Sequence, residues 1–307
     1  MRRVPIWCAL LPAVAGAADV DLGMDLGYRA ADMRWSIAGT SSGCCPNVLS
    51  ELTWDNLEVA ELSLHLKSFT QSGLVFSAEG AYGSIYSGDN RDSDYLGDNR
   101  SLEFTRSENA TDGDAMWYGS LGLGWRLRGT GVGSMATLVP WVGYAQHGQD
   151  LRITDGYQTV SAYGFPQPLG PFDGLDSTYR SRWTGPWAGL DLELEPGAGV
   201  QLTLGMQYHW PDYYAKANWN LRYDYAHPVS FEQKADGQGQ VLRLGLSLPG
   251  PDAAPTLRWR IDADWERWES DAGVDRVFFA DGTTATTRLN EVVLNTWSVS
   301  AGFDARF

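Results

Sequence analysis

The sequence predicts an all-β fold: a transmembrane antiparallel β-barrel of ten strands. Three observations lead there. Apolar residues fall at every second position at the end of the chain, in Trp297, Val299, Ala301, Phe303, Ala305 and Phe307, with Ser298, Ser300, Gly302, Asp304 and Arg306 between them. That is the period of a strand with one apolar and one polar face. The same period recurs along most of the chain. The segments between these rows alternate strictly between short and long.

Taken in order, the first row is Val20, Leu22, Met24, Leu26 and Tyr28, followed by Leu62, Leu64 and Leu66. Leu74, Phe76, Ala78, Gly80 and Tyr82 give the third. The clearest is the fourth, Ala115, Trp117, Gly119, Leu121, Leu123, Trp125 and Leu127. A fifth strand, near Met135 to Gln149, has apolar residues on both faces. Then come Pro186, Ala188, Leu190, Leu192 and Leu194, and after them Val200, Leu202, Leu204, Met206, Tyr208 and Trp210. Leu242, Leu244, Leu246 and Leu248 make the eighth row. The ninth is Leu257, Trp259, Ile261, Ala263 and Trp265, and the C-terminal row is the tenth. Short connections near 70–73, 129–134, 195–199 and 249–255 carry the Gly and Pro that tight turns need. Long ones are expected near 36–54, 87–114, 151–178, 212–236 and 269–288. An even strand number with this alternation puts both termini at the short-turn, periplasmic end and the five long loops outside.

The chain opens Met1-Arg2-Arg3, runs through an apolar stretch to Val14, and reaches the small residues Ala15-Gly16-Ala17. This reads as a secretory signal peptide over residues 1–17, with one barrel domain over 18–307. The apolar stretch is shorter than the roughly 20 residues of a membrane-spanning helix. A secreted chain whose last strand alternates and ends on an aromatic resembles the bacterial outer-membrane barrels. Trp 14, Tyr 14 and Phe 10 make 12% of the chain aromatic, which suits girdles at two membrane interfaces.

The net charge is -15, and the signal segment holds two of the 23 basic residues. So acidic a chain excludes nucleic acid as a partner and favours cationic ones, such as basic peptides. Outer-membrane lipid is expected around the barrel, and host or surface proteins at its loops. Outer-rim Arg and Lys suit the phosphates of a bound lipopolysaccharide. No other cofactor is expected. Cys44 and Cys45 are adjacent and too few for a disulfide framework; they can close a vicinal disulfide or be an incidental pair.

The inward face of the ninth strand reads Arg258, Arg260, Asp262, Asp264, Glu266. Such charges are expected to pair across a narrow lumen, which disfavours a wide pore and leaves a small porin as an alternative. For chemistry, the most pointed segment is Gly88-Asp89-Asn90-Arg91-Asp92-Ser93-Asp94-Tyr95. If a strand runs through it, Asp92 and Asp94 share a face, and crowded carboxylates shift each other's pKa and can activate water. Asp89, Asp92, Asp94 and Asp98 are also oxygen donors of the kind Ca²⁺ takes, but the Gly placement does not match an EF-hand loop, and no metal site is assigned. Aromatics between prolines in Tyr163-Gly-Phe165-Pro-Gln-Pro-Leu-Gly-Pro171-Phe172 form a stiff strip, either a ligand-binding edge or loop-to-loop packing.

Strand count, alternating loops and this Asp-x-Asp segment resemble the omptins, ten-stranded outer-membrane proteases with a groove at the outer rim. Ser50-Glu-Leu-Thr-Trp54 is similar to an omptin segment as well. The resemblance implies a second half-site, an Asp-x-His in the fourth long loop, whose His helps activate water. This chain has none there: it reads Asn218-Trp219-Asn220 where the His is expected. The nearest substitute is Asp224 with His227, whose spacing puts them on opposite faces of a strand. The expected catalytic set is therefore Asp92, Asp94, Asp224 and His227, with its second half diverged. The functions this leaves open are a diverged omptin-like barrel, an active endopeptidase on cationic peptides, and a small porin or surface adhesin.

Overall fold

The computed structural model describes residues 19–129 and 136–307; the signal peptide expected over 1–17, and the turn expected at 129–134 from residue 130 on, lie outside them. The elements are β1 (Asp19–Ile37), β2 (Ser50–Phe69), β3 (Leu74–Gly97), β4 (Ser101–Ala110), β5 (Ala115–Trp125), β6 (Leu127–Arg128), β7 (Ala136–Ser161), β8 (Gly170–Pro171), β9 (Ser177–Gly197), β10 (Val200–His209), β11 (Asp212–Asn218), β12 (Phe231–Pro249), β13 (Leu257–Ser270), β14 (Gly273–Phe278) and β15 (Thr284–Arg306). No helix among the described residues is long and apolar enough to cross a membrane.

Three walls are interrupted. β4 and β5 together lie between β3 and β7, β10 and β11 lie between β9 and β12, and β13 and β14 lie between β12 and β15. With β15 paired antiparallel to β1, the ring closes as ten antiparallel walls. Closure satisfies every strand edge, which a chain spanning lipid requires. The breaks fall where Thr111–Asp114, Trp210-Pro211 and Asp271-Ala272 leave the ladder. Pro211 has no N–H to offer it. Both ends of the barrel chain meet at one rim, Val20 and Phe307 exchanging two backbone hydrogen bonds at 3.0 and 2.9 Å.

In the lower half the apolar rows point outward. Leu26 is 66% exposed, and Leu64, Leu204, Leu244 and Ile261 are exposed with it. Tyr82, Tyr144, Trp210, Trp265 and Trp297 bound this lipid-facing band above, and Trp125 and Trp259 bound it below. Inside, the charges pair as the ninth strand's sequence leads one to expect. Arg29 joins Glu61 and Glu266, both at 2.8 Å; Arg243 joins Asp264 at 2.7 Å and Glu79 at 3.3 Å; Arg260 joins Asp262 at 2.7 Å. His65 bridges Asp25 and Asp304. Two cavities of about 50 and 80 Å³ remain among these side chains, enough for a few waters each. Val75, Val139, Trp141 and Trp187 pack nearby, which is why the fifth strand reads as apolar on both faces.

Above the band the polarity inverts without the strands ending. In β1 the outward Leu22, Met24 and Leu26 give way to inward Ala31, Met33, Trp35 and Ile37. The odd-numbered positions, polar inside the membrane band, become the core above it. Leu52, Trp54, Leu57, Val59, Ile85, Leu151, Tyr179, Trp183 and Leu289 join that core. The long loops expected from sequence are therefore overstated. Most of 87–114 is strand, in β3 and β4, and β7, β11, β12, β14 and β15 likewise extend into segments expected as loops. The reason is physical: above lipid, a strand needs its apolar face toward the barrel interior, so the phase flips and the outward row turns polar. Cys44 and Cys45 are joined as a vicinal disulfide in the segment between β1 and β2.

Candidate functional site

The hydrophobic plug of the upper barrel supports a groove of about 610 Å³ at the long-loop end. Its first wall is built by register. β3 continues straight through the Asp-x-Asp segment, so Asn90, Asp92 and Asp94 line one face. β4 sets Asn109, Ser107 and Thr105 directly opposite them, residue for residue. Gln158 of β7 completes this wall, donating from Nε2 to Thr105 Oγ1 at 2.6 Å. Asn109 Nδ2 donates to Asn90 Oδ1 at 2.9 Å, and Asn90 Nδ2 donates to the Thr53 carbonyl at 3.0 Å. The wall is thus a pre-fixed array of amides and hydroxyls around two carboxyls.

The second wall comes from the stretch between β7 and β9. Phe165, Pro166, Gln167, Phe172 and Leu175 face the groove, with Phe165 packed edge-on to Phe104 at 5.9 Å between centroids. Part of the Tyr163–Phe172 strip therefore lines a cavity while packing on another loop residue. The third wall is the segment after β11: Trp219, Leu221 and Arg222. Asn220 between them is turned away. Its Oδ1 accepts from the Asp176 N–H at 2.9 Å and from Ser177 Oγ at 3.0 Å, while its Nδ2 donates to the Gly174 carbonyl at 2.6 Å. Those bonds tie two loops together and aim Trp219 and Arg222 at the aspartates.

The four residues singled out in the sequence thus divide into two pairs. Asp92 and Asp94 lie side by side in the groove. Asp224 and His227 are exposed and do not line it. Asp224 takes a bidentate pair from Arg222, at 3.0 and 2.8 Å. His227 meets Asn218 Oδ1 through Nδ1 at 2.6 Å. His65, His147 and His209 belong to the lumen below, where the latter two pack on Trp268. So among the described residues no imidazole lines the groove.

Electrostatics follow from that arrangement. Burial, and then the negative charge of Asp94, push the Asp92 carboxyl well above its ordinary range, while Arg222 and Trp219 pull it back. Burial pushes Asp94 up to about 6, against the Ser50 hydrogen bond and the Arg222 charge. Near neutral pH such a pair holds a proton that an exposed pair would have lost. Arg222 also lies over the Tyr225 ring at 4.1 Å. Sequence reasoning found the carboxyl pair and the aromatic strip. It missed Asn109, Gln158 and Arg222, which carry no motif; their only signal is the strand period that puts the first two on the groove side.

The chain matches the family described as Pom, Protochlamydia outer membrane protein, over residues 23–307. No curated protein matches the sequence. Among solved structures, the outer membrane protease OmpT from Escherichia coli superposes with a TM-score of 0.76 at 13% identity, covering 95% of this chain and 97% of that one. The translocator domain of the autotransporter NalP from Neisseria meningitidis gives 0.38 at 11% identity, over 98% and 95% of the two chains. A Pseudomonas aeruginosa FadL homologue gives 0.31 at 8%, over 94% and 90%. At such identities the OmpT likeness is one of fold, and it agrees with the ring of ten walls. With the family matched across nearly the whole barrel, this chain is an outer-membrane β-barrel and belongs to the Pom family of outer membrane proteins.

Proposed function

We propose that this barrel presents its upper groove at the cell surface and binds a ligand there without hydrolysing it. The observation that carries this reading is what faces Asp92 and Asp94: Trp219, Leu221 and Arg222, with His227 engaged by Asn218 outside the groove. The omptin resemblance implies an imidazole facing the carboxyl pair, to share in taking the proton from water. The groove offers a guanidinium there instead, which has no acceptor and stays protonated. Arg222 is moreover held by Asp224, so it acts as a fixed charge beside the pair. An omptin-like endopeptidase for cationic peptides is the second reading, favoured by the shared face of Asp92 and Asp94 and by the acidic composition. The ion-paired lumen and the apolar plug speak against the small-porin alternative.

Lipopolysaccharide is the lipid partner we propose. Arg182 and Lys234 flank Tyr214 on one outward row, and Arg180, Lys216 and Arg276 share the next, across β9, β11, β12 and β14. Glu232 sits among them, between Lys216 and Arg276 and 3.3 Å from Lys234, so five exposed cations face one carboxylate just above the lipid-facing band, at the height of headgroup phosphates, where charge-assisted bonds to phosphate are strong.

The test uses refolded full-length barrel with lipopolysaccharide and a dibasic peptide. Tryptophan emission is followed for binding, with a Trp219→Phe variant isolating the groove's share of the signal, and mass spectrometry for new termini. Absence of new termini after long incubation is the expected outcome. Peptide products that disappear in an Asp92→Ala/Asp94→Ala variant would replace the binding reading with the endopeptidase one.

A further inference from the structure

The binding reading leaves the ligand's chemistry open, and the groove constrains it. Its side chains fall into two kinds. Phe104, Phe165, Phe172 and Trp219 supply flat apolar faces. Asn90, Asn109, Gln158, Thr105, Ser107 and Ser177 supply amides and hydroxyls, most of them buried and fixed by neighbours. Asn109 is 8% exposed, lines the groove, and leaves its Oδ1 without a hydrogen-bond partner. A buried amide oxygen in that state is unfavourable unless a ligand or water donor meets it. Among the described residues the one cation on the groove wall is Arg222, already engaged by Asp224 and stacked on Tyr225.

A basic peptide would need two ionised carboxylates with no cation beside them. A phosphorylated or carboxylated ligand would need a free cation and would meet Asp92 and Asp94 instead. A hydroxyl-rich, uncharged ligand with apolar ring faces meets every feature: carboxyl and amide oxygens accept from its hydroxyls, amide N–H groups donate to its oxygens, and its C–H faces lie on the aromatic rings. The cavity of about 610 Å³ is in the range of sites that enclose a small organic ligand and suits a few sugar rings.

We propose that the groove between β3–β4 and the Trp219–Arg222 segment is a saccharide-binding site, taking a short neutral glycan across Asp92, Asp94, Asn109 and Gln158 against the Phe104, Phe172 and Trp219 rings. This rests on the reading that the groove binds without hydrolysis.

The experiment is calorimetric titration of the refolded full chain with maltotriose, cellotriose, chitotriose and a dibasic peptide. It is repeated on Trp219→Ala and on Asp92→Asn/Asp94→Asn, each checked for the heat-modifiable mobility of a folded barrel. Saturable binding of at least one trisaccharide, weakened about ten-fold or more in both variants, is the result expected. Peptide binding with no trisaccharide binding overturns the saccharide assignment alone. Peptide cleavage overturns the binding reading beneath it. Trisaccharide binding that both variants keep in full overturns the proposed location, and absence of binding by every probe overturns the assignment.

Discussion

Asp275 offers a quantitative test of the upper barrel. It is 1% exposed, it lies above the lipid-facing band in β14, and among the described residues no cation pairs with it. Its carboxylate accepts from Gln233 Nε2 at 3.2 Å and from Thr287 Oγ1 at 3.3 Å, and Gln233 in turn accepts from Tyr179 at 2.6 Å. Burial pushes the carboxyl up from 3.8 to about 6, more than those two bonds pull it down. The folded state therefore holds this proton more tightly than the unfolded chain does. Below the unfolded pKa both states are protonated and the group costs nothing. As pH rises through the folded value, stability is lost. At 1.36 kcal/mol per unit, a rise of that size costs the native barrel about 3 kcal/mol once both states are ionised. Asp275→Asn removes the ionisation and keeps the shape: Asn Oδ1 accepts from Gln233, and Nδ2 donates to Thr287 Oγ1. Urea unfolding of the refolded barrel is compared between pH 4 and pH 8. The variant should equal the parent near pH 4 and exceed it by about 3 kcal/mol above pH 7. A variant less stable than the parent at pH 8, or a gain independent of pH, would refute the argument.

Other perturbations probe other parts of the account. Arg29→Met leaves Glu61 and Glu266 facing each other in the lumen without their guanidinium, and should destabilise by about 3–5 kcal/mol in the same unfolding assay. Gly148 has no room for a Cβ because the Trp117 indole fills that space, so Gly148→Ala should cost about 1–3 kcal/mol, with no change expected from Ala at Gly119, where the space is open. Arg222→Gln removes the cation that holds Asp94 down, so its NMR titration midpoint should move above about 6, whereas an unchanged midpoint would mean the guanidinium is not felt in the groove. In planar bilayers the barrel should give no stepwise conductance, because ion pairs and the Trp54–Trp183–Leu289 core fill its interior; reproducible steps would mean the lumen opens.

Much of the barrel was legible because lipid imposes one simple pattern. Leu22, Met24 and Leu26 face hydrocarbon, and alternating charges such as Arg260 and Asp262 face the lumen, so the period-2 rows stand out. What misled was the phase flip above the membrane. Ala31, Met33 and Trp35 sit on the opposite face from Leu26, and the bulge that shifts register between Asp55 and Glu58 breaks the rows further, so continuous strands read as loops. The Asp92–Asp94 pair was visible as a motif, and its shared face followed from strand geometry. Its surroundings were not. Trp219 and Arg222 lie in a stretch without period, positioned by Asn220 bonds to Asp176, Ser177 and Gly174 that only tertiary structure reveals. Asn109 and Gln158 gain meaning solely from the cross-strand register that brings them beside Asp92 and Asp94.

The most direct test of the central claim is turnover of a fluorogenic dibasic peptide by refolded protein with lipopolysaccharide, at enzyme excess and over hours, beside the Asp92→Ala/Asp94→Ala variant. The account predicts identical, background traces for the two. Cleavage by the parent that the double variant abolishes would contradict it and make the groove a protease site.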